Sequence, residues 1–560
     1  MSLLLLLSAL SFGQAISGDL LGTVRDSSGA LVPNATVVAT NIATGVKATQ
    51  HTNAQGEYRF VNLLAGHYSI TVDAAGMKGG TSDVEVELNK VATANITTSV
   101  AGTSTTVEVS ETAVTIDSTT PTISTTFTNK EISDSATTST GSGVLNLSLL
   151  NAGVASSGGV GAGSGPSVGG QRPRNNNFTV EGVDNNSLSV TGPLVYLPND
   201  AVDSFTVMQN QFSAEFGHSS GGQFNQTIKS GTNQFHGRVY EYFQNRNLNA
   251  EDSLVAQGQA PGPFKNARYD NNRFGGQVGG PIIRNKLFFF TNWEYNVIGQ
   301  EAAPVTGCAP TSAGYATLQS MFGNSTNLQQ FQKYVPAGGT ASVCPSSIQV
   351  AAGQPSVGLT GNTNPLFTAN AVTIPTGDIG FIGPSYNNIL STANSFDWTI
   401  GQNDSLRGRL AYVKNTGIDT AASLPAFWEP LPSINWLATI SEYHNFGTSI
   451  SNEFRFGWNR NYQVYQVGNQ QFPGLAGFPN LTIYEMNGLN VGPDPNAPQG
   501  GIQNSYQFVN NLSWVKGRHN FRFGGEYRWY ISPQYFTQRV RGDYQWNLLS
   551  DYLKDRKSVV

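Results

Sequence analysis

The chain has little charge and no long apolar run. Lys, Arg, Asp and Glu make up 12% of its residues, about half of the ~25% found in typical soluble domains. The net charge is 31 − 36 = −5. This low content of charged residues argues against coiled coils, disordered acidic tails and basic nucleic-acid-binding proteins. No segment approaches the ~18 consecutive apolar residues of a membrane helix, so the sequence excludes a helical membrane protein.

Patterns that carry catalysis or bind metals are also scarce. The chain has 2 cysteines and 6 scattered histidines, without an H-E-x-x-H or C-x-x-C motif and without a Gly-Lys step for a phosphate loop. Two G-x-S-x-G matches, at 165–169 and 217–221, lie in Gly- and Ser-rich sequence, whereas a nucleophile elbow needs a strand-to-helix turn. We therefore expect no catalytic residue, no metal, no cofactor and no enzymatic activity.

What is abundant suits strands and turns. The chain contains 62 Gly, 30 Phe and 21 Tyr, residue types that favour strands, tight turns or both over helices. The composition therefore predicts an all-β protein. Its 560 residues, at roughly 150 residues per domain, predict about three or four domains.

The first residues are typical of export. Residues 3–7 are all leucine, and the run ends at Gly13-Gln14-Ala15, which places small residues where a signal peptidase cuts. We expect a signal peptide over 1–15, cleaved after Ala15. A signal peptide has a positively charged segment before its apolar run, but no Lys or Arg precedes these leucines. The natural start is therefore expected upstream of Met1. A buried N-terminal strand is the alternative interpretation.

Residues 16–101 are predicted to form a small β-sandwich. Short β-rich runs alternate with Gly, Asn and Asp turns at 20–24, 36–40, 57–61, 68–72 and 84–88. The segment is similar to the carboxypeptidase regulatory-like domain in its motifs Gly22-Thr23-Val24-Arg25-Asp26, Gly56-Glu57-Tyr58-Arg59-Phe60 and Leu64-Ala65-Gly66-His67-Tyr68. That resemblance implies a prealbumin-like sandwich, related to carbohydrate-binding-like folds, and it does not imply peptidase activity. We expect Gly29, Gly56 and Gly66 to lie where a hairpin needs positive φ or a close approach of the backbone.

Residues 102–231 are rich in Thr, Ser, Gly and Asn, and they end in a specific set of motifs. These are Gln211-Phe212-Ser213-Ala214-Glu215-Phe216-Gly217, then residues 221–233, then Phe235-His236-Gly237. The set resembles the junction of plug and barrel in TonB-dependent outer-membrane receptors of the Oar-like group. The resemblance implies that 102–231 form a plug domain and that a barrel follows it.

Residues 232–560 carry the pattern of membrane-spanning β-strands on their own evidence. In the segment 405–412 the apolar residues Leu406, Leu410 and Tyr412 alternate with Arg407 and Arg409. Such alternation places one face against lipid and the other against a wet lumen.

Two further segments repeat the pattern. In 521–529 the aromatic residues alternate with Arg522, Glu526 and Arg528, and 450–458 carries a third aromatic stripe.

Connection lengths give a separate test. Strands are predicted near 235–243, 272–280, 287–295, 395–400, 405–413, 436–444, 448–459, 504–515 and 520–530. The links between them alternate short and long, as short periplasmic turns and long extracellular loops do in outer-membrane barrels. We predict the N-terminal part of a 22-stranded barrel, and we expect the chain to be a truncated fragment.

Three sets of candidate site residues follow. A TonB box, which pairs with its periplasmic partner by strand addition, is predicted at Thr106, Val107, Glu108, Val109 and Ser110. An ordinary linker or first plug strand is the alternative for this segment.

Arg172 and Arg174 are candidates for the plug apex, with structural pairing to barrel carboxylates as their alternative role. Cys308 and Cys344 fall in one long predicted extracellular loop. We expect them to form a disulfide, with two free thiols as the alternative.

The resemblance implies a receptor in the outer membrane of a Gram-negative-type bacterium. It would bind an extracellular solute and import it with energy from a TonB-type periplasmic partner. A glycan, a peptide, a protein and an iron chelate all remain open as ligands. A non-transporting surface adhesin or structural barrel, with carbohydrate as a candidate ligand, is the first alternative, and an envelope enzyme that uses the sandwich as an accessory module is the second.

Overall fold

The structure is a computed structural model that describes most of the chain. The described residues are 17–75, 77–78, 80–88, 90–100, 108–109, 122–135, 143–156, 165–188, 192–248, 268–301, 305–323, 325–342, 344–351, 371–381, 384–447, 449–465, 467, 474–516, 519–536 and 538–554. The predicted signal peptide over 1–15 lies outside them.

The N-terminal unit is a sandwich of two five-stranded sheets. Its strands are β1 Gly18–Asp26, β2 Thr36–Asn41, β3 Lys47–His51, β4 Glu57–Leu63, β5 Gly66–Asp73, β6 Met77–Lys78, β7 Thr81–Val86, β8 Val91–Thr93, β9 Ile96–Val100 and β10 Glu108–Val109. One sheet has the order β4-β1-β9-β6 with β8 beside β1, and the other has the order β10-β7-β5-β2-β3. This is the two-layer architecture predicted from the sequence.

Alternation along each strand builds the sandwich core. In β2, Val37 and Ala39 point inward and are buried, and in β5, Ile70 and Val72 do the same, as the period of two requires. The three turn glycines behave as expected, with φ of 86° at Gly29, 66° at Gly56 and 148° at Gly66. At Gly56 a Cβ would also lie 2.9 Å from the Val24 carbonyl oxygen. Both the positive φ and this close approach therefore favour glycine in the turn.

The central unit is a small plug around one mixed sheet. Its elements are β11 Ile123–Thr128, α1 Asn129–Asp134, β12 Val154–Ala155, β13 Ser167–Val168, β14 Asn177–Val180, β15 Val183–Asp184, β16 Val202–Asn210 and β17 Gln223–Ile228. Short 3₁₀ helices cover Gly143–Leu150, Pro173–Asn175 and Asn199–Ala201. The main sheet runs β11-β16-β17-β14-β15, and the stacked rings of Phe178, Phe205 and Phe224 fill its core.

The C-terminal unit contains the long strands and the segments that connect them. Its strands are β18 His236–Asn245, β19 Tyr269–Ile283, β20 Leu287–Glu301, β21 Val305–Pro310, β22 Ser347–Ala351, β23 Ala371–Phe381, β24 Pro384–Thr399, β25 Asp404–Asp419, β26 Glu429–Phe446, β27 Ile450–Tyr465, β28 Asn480–Ile483, β29 Leu489–Val491, β30 Gln499–Lys516, β31 His519–Ile531, β32 Gln534–Phe536 and β33 Asp543–Trp546. Its helices are α2 Ser312–Phe322, α3 Thr326–Tyr334 and α4 Leu549–Leu553, with 3₁₀ turns at Pro425–Phe427, Leu475–Gly477 and Tyr484–Met486.

Ten of these strands form one sheet in the order β18-β19-β20-β24-β25-β26-β27-β30-β31, with β32 paired to β30. Neighbours along the sheet are antiparallel, for example Leu410 opposite Ala438. All nine predicted strands are present in the predicted order, and most extend beyond the predicted bounds into the long connections. The prediction of long and short links therefore gave the correct topology.

The two faces of this sheet differ in polarity as predicted. On β25, Arg407 and Arg409 are buried toward the inside, whereas Leu410 is exposed on the outer face. On β31, Phe523 and Trp529 are exposed outward, whereas Arg528 lies inward. The inner face packs on the plug, where Ala411, Val413 and Leu437 of the sheet join the plug core.

The long connections build a separate folded unit with its own hydrophobic core. It combines α2, α3 and the three-stranded sheet β21-β23-β22 with the sheet β29-β28-β33 and helix α4. Leu318, Phe331, Phe427, Met486 and Leu549 are fully buried together in this core. We call it the external unit. None of the described helices is long and apolar enough to cross a membrane.

Candidate functional site: the plug and barrel interface

A buried polar turn joins the plug to the inner face of the large sheet. The turn connects β14 to β15, and its residues Glu181 and Gly182 have φ of 52° and 65°. This left-handed geometry is easy for glycine and costly for glutamate. It directs the Glu181 carboxylate and the Gly182 carbonyl into the sheet. We call residues 181–184 the plug turn.

Arg409 of β25 holds the first residue of the plug turn. Its Nε lies 3.1 Å from Glu181 Oε1, and its Nη1 lies 2.9 Å from Asp397 Oδ1 on the neighbouring strand. The Ile228 main-chain N–H also donates to Glu181 Oε1, at 2.8 Å. Both carboxylates are buried, so each needs this cation to offset its desolvation.

Arg455 of β27 holds the second residue. Its Nη1 donates to the Gly182 carbonyl oxygen at 3.1 Å, and its Nη2 is paired with Glu453. Glu453 accepts a further hydrogen bond, at 3.0 Å, from the Tyr443 hydroxyl. The guanidinium is therefore fixed from the barrel side before it meets the plug.

Asp184 has hydrogen-bond partners on three barrel strands. Arg528 Nη1 and the Tyr530 hydroxyl, both on β31, lie 3.2 Å and 3.1 Å from its carboxylate. Its main-chain N–H donates to Gln507 Oε1 at 2.8 Å, and its carbonyl accepts from Asn459 Nδ2 at 2.6 Å. Every polar group of this residue thus has a barrel partner.

The arrangement favours a plug that is held but releasable. Three arginines, from β25, β27 and β31, contact three of the four residues of the plug turn. Charge-assisted hydrogen bonds need close geometry, so a small displacement of the turn breaks several of them together. These contacts hold the plug turn against the inner face of the large sheet.

The candidate TonB box lies partly outside the described residues. Thr106, Val107 and Ser110 are outside them, whereas Glu108 and Val109 form strand β10. This strand adds to the edge of the sandwich in parallel with β7, with Glu108 opposite Thr81 and Val109 opposite Ser82. The segment thus has the extended backbone that strand addition requires.

The candidate apex arginines flank a short turn of the plug. Arg172 and Arg174 are both exposed, around the 3₁₀ turn Pro173–Asn175. They form no ion pair in the part of the chain that the structure describes. The arginines that meet the plug turn are instead barrel residues.

Cys308 and Cys344 are joined by a disulfide in the external unit, with their Cα atoms 5.6 Å apart. The bond links the end of β21 to the segment before β22, beside Leu318 and Phe331 in the same core. It closes a loop across 36 positions. In a chain-entropy estimate such a closure contributes about 3 to 4 kcal/mol.

Among the described residues, Asp404, Glu442 and His444 have side chains close enough to hold one metal ion. His444 Nδ1 lies 2.6 Å from Asp404 Oδ1, a hydrogen bond that already engages two of the ligand atoms. These residues lie at the short-turn ends of β25 and β26, away from the plug turn. No sequence motif indicates them, because the register of β25 and β26 alone brings them together.

The sequence placed Arg409 and Arg528 on the lumen side, but it gave no partner for them. The available signal was the acidic pair in Glu181-Gly182-Val183-Asp184, which stands in an otherwise weakly charged plug. Acidic residues flanking a glycine turn are common on surfaces, so this signal alone indicates nothing specific. Only the docking of the plug shows that they are the arginines' partners.

Comparison with known protein families agrees with this architecture. The family model described as an outer membrane beta barrel domain matches residues 227–553, more than half of the chain. The chain belongs to this family. Two further models match the receptor: the carboxypeptidase regulatory-like domain at 19–99 and the TonB-dependent receptor plug domain at 117–222. The predicted family, all-β fold class and outer-membrane location are confirmed.

Similar proteins include a curated transporter and several solved structures. Over 293 residues the receptor is 26% identical to the TonB-dependent transporter Oar of Myxococcus xanthus, covering 52% of this chain and 27% of that protein. The chain thus spans about a quarter of the length of that relative.

Two solved structures are also similar to the receptor. The outer membrane transporter YddB of Escherichia coli matches with a TM-score of 0.47 and 12% identity, over 73% of this chain and 48% of that one. The siderophore receptor PirA of Acinetobacter baumannii matches with a TM-score of 0.42 and 13% identity, over 72% and 47% of the two chains.

Proposed function

We propose that this receptor binds a solute outside the cell and imports it into the periplasm, driven by a TonB-type partner. The observation that carries the proposal is the plug turn, which three barrel arginines hold through directional hydrogen bonds. A barrel that only adheres has no need for a releasable plug. The proposal assigns the chain transport and no catalysis.

The partner is proposed to pull on residues 106–110. Glu108 and Val109 already pair with the edge of a sheet, and the same backbone groups would add to a sheet of the partner. Pulling there would draw on the plug, which begins shortly afterwards at β11. Few apolar contacts in its Thr-, Ser- and Asn-rich segments would let it remodel under modest force.

The test is uptake by cells that express the receptor with Val107→Pro and Val109→Pro together. Proline removes the main-chain N–H groups that strand addition needs, so import should fall to the level of cells lacking the TonB-type protein. Binding at the cell surface should stay unchanged. Thr106→Val, which keeps every backbone donor, is the matched control and should import normally. Binding without any import in the unaltered receptor would favour the adhesin interpretation.

A further inference from the structure

A cavity of about 230 Å³ lies between the plug and the inner face of the large sheet. It is separate from the plug turn and is bounded by both units. Leu194, Tyr196 and Leu197 line it from the plug, whereas Asn296, Asn387 and Asn415 line it from β20, β24 and β25. The volume corresponds to about eight water molecules at ~30 Å³ each, the size class of one sugar ring.

Four amide side chains that line the cavity have carbonyl oxygens that accept no hydrogen bond from the described residues. Gln226 of the plug and Asn296 of the wall are 6% and 4% exposed, and their side-chain carbonyl oxygens have no partner among the described residues. The carbonyl oxygens of Asn387 and Asn415 share this condition. A buried acceptor without a donor costs about 1 to 3 kcal/mol. The cavity therefore favours a solute that brings O–H groups.

The cavity also carries no net charge. Its charged lining residues, Arg273 and Glu294, face each other at 3.9 Å, and Glu294 accepts a further hydrogen bond from the Tyr240 hydroxyl at 3.1 Å. An anionic chelate would have to enter without an unpaired cation to receive it. Charge therefore argues for a neutral solute.

The lining of the cavity combines apolar and amide side chains, a combination that suits a sugar. Leu194, Leu197 and the ring of Tyr196 supply apolar surface, and Gln226, Asn296, Asn387 and Asn415 supply amides. A pyranose has an apolar C–H face and a rim of hydroxyls, which are donors for amide oxygens. We propose that this cavity binds one ring of a neutral saccharide as it passes between plug and wall. This inference rests on the proposed transport function and names its substrate class.

The test is saccharide binding to the purified chain in detergent, with no membrane and no energy source. Glucose, N-acetylglucosamine and cellobiose are the probes, read by saturation-transfer NMR, and ferric citrate is the anionic competitor. At least one saccharide should bind saturably and resist ferric citrate. No saturable saccharide binding, or displacement by ferric citrate, overturns the inference. Uptake in cells tests the transport proposal separately, so the two can fail independently.

Substitutions locate the binding. Asn296→Leu and Asn387→Leu remove lining amides and should each weaken the affinity about tenfold. Asn388→Leu is the matched control, because Asn388 follows Asn387 on β24 and points to the opposite face; its affinity should not change. Equal weakening by Asn388→Leu, or no weakening by the two lining variants, contradicts the proposed site. Heat-modifiable migration shows whether each variant is folded. If a lining variant is not folded, saccharide binding by the wild-type chain tests the inference.

Discussion

Arg409 is buried between two carboxylates, Glu181 of the plug and Asp397 of the barrel wall. Replacing it by Met keeps the bulk but leaves two buried carboxylates without their cation, which costs about 3 to 5 kcal/mol. We expect Arg409→Met to lower the hydrogen-exchange protection of residues 177–184, measured by mass spectrometry.

Arg407→Met is the control for this prediction. Arg407 is buried on the same face of the same strand and lies over the Tyr443 ring, 4.2 Å from its centroid, without contacting the plug turn. Protection of 177–184 should stay near that of the unaltered chain. Adding Glu181→Gln to Arg409→Met should restore part of the loss, because it removes one of the two stranded charges. Equal protection in all variants would contradict the role of Arg409.

Gly457 of β27 lets the plug turn approach the wall. A Cβ at this position would lie 2.4 Å from Val183 Cγ1, so Gly457→Ala should cost about 1 to 3 kcal/mol through overpacking. The expected result is a lower midpoint for plug unfolding in urea. Val183→Ala in the same chain should recover most of it by removing the clashing methyl groups.

Gly408→Ala is the matched control for this substitution. Gly408 also lies in a long barrel strand, but the atom nearest to a Cβ at this position would be 3.9 Å away. That distance is an ordinary van der Waals contact. Its unfolding midpoint should be unchanged. If both alanine variants behave alike, close approach at Gly457 is not what positions the turn.

At the scale of elements, the external unit is a folded body rather than a set of independent loops. Segments from three connections and the segment that follows β32 meet in one core with the disulfide at its edge. Glu485 lies within this unit and accepts a hydrogen bond from the Leu549 main-chain N–H at 2.9 Å. Burial, opposed by the hydrogen bond from the Leu549 N–H and aided by the nearby Asp551, raises the pKa of the Glu485 carboxyl to about 7.

This shift predicts how the external unit responds to pH. The folded-state pKa of Glu485 is above the usual 4.5. The neutral acid therefore stabilises the folded unit fully below pH 4.5, and this contribution is lost as the pH rises from 4.5 through about 7. Glu485→Gln keeps the acceptor and removes the charge. At pH 8 we expect it to stabilise the unit by about 1 kcal/mol, seen as slower hydrogen exchange in residues 475–491. Equal exchange in both proteins at pH 5 and at pH 8 would contradict this.

At the scale of the whole molecule, one arginine joins all three units. Arg522 of the barrel lies 2.7 Å from Asp19 of the sandwich and 2.7 Å from Glu215 of the plug. Arg522→Gln should release the sandwich from the barrel rim while its own core stays folded. Limited proteolysis between residues 101 and 121 should become several-fold faster.

Lys130→Gln is the control for this latch. Lys130 forms an exposed ion pair with Asp134 within one helix, and such pairs contribute little. Its proteolysis rate should match that of the unaltered chain. A rate for Arg522→Gln that also matches it would mean that other contacts, such as Asn62 Nδ2 to Ser451 Oγ at 2.9 Å, hold the sandwich.

The sequence by itself determined the architecture, because each strand shows its alternation of apolar and polar residues over a few neighbouring positions. Alternation at Arg407, Arg409 and Leu410 fixes which face of β25 meets the lumen, and the spacing of short and long links fixes the order of the strands. The glycines at 29, 56 and 66 lie in predicted turns, and each has a positive φ. Such features depend on near neighbours in the chain, so they can be read without a fold.

The contacts that make the interface were decided by tertiary structure alone. Glu181 meets Arg409 across 228 positions, and Asp184 meets Arg528 across 344. The amides of Gln226 and Asn296 share a cavity only because the plug docks inside the sheet. The external unit likewise draws its core from segments that look like separate loops in the sequence. Packing between distant segments leaves no periodic pattern in the sequence. The strands and turns could therefore be predicted from the sequence, whereas the contacts of the site could not.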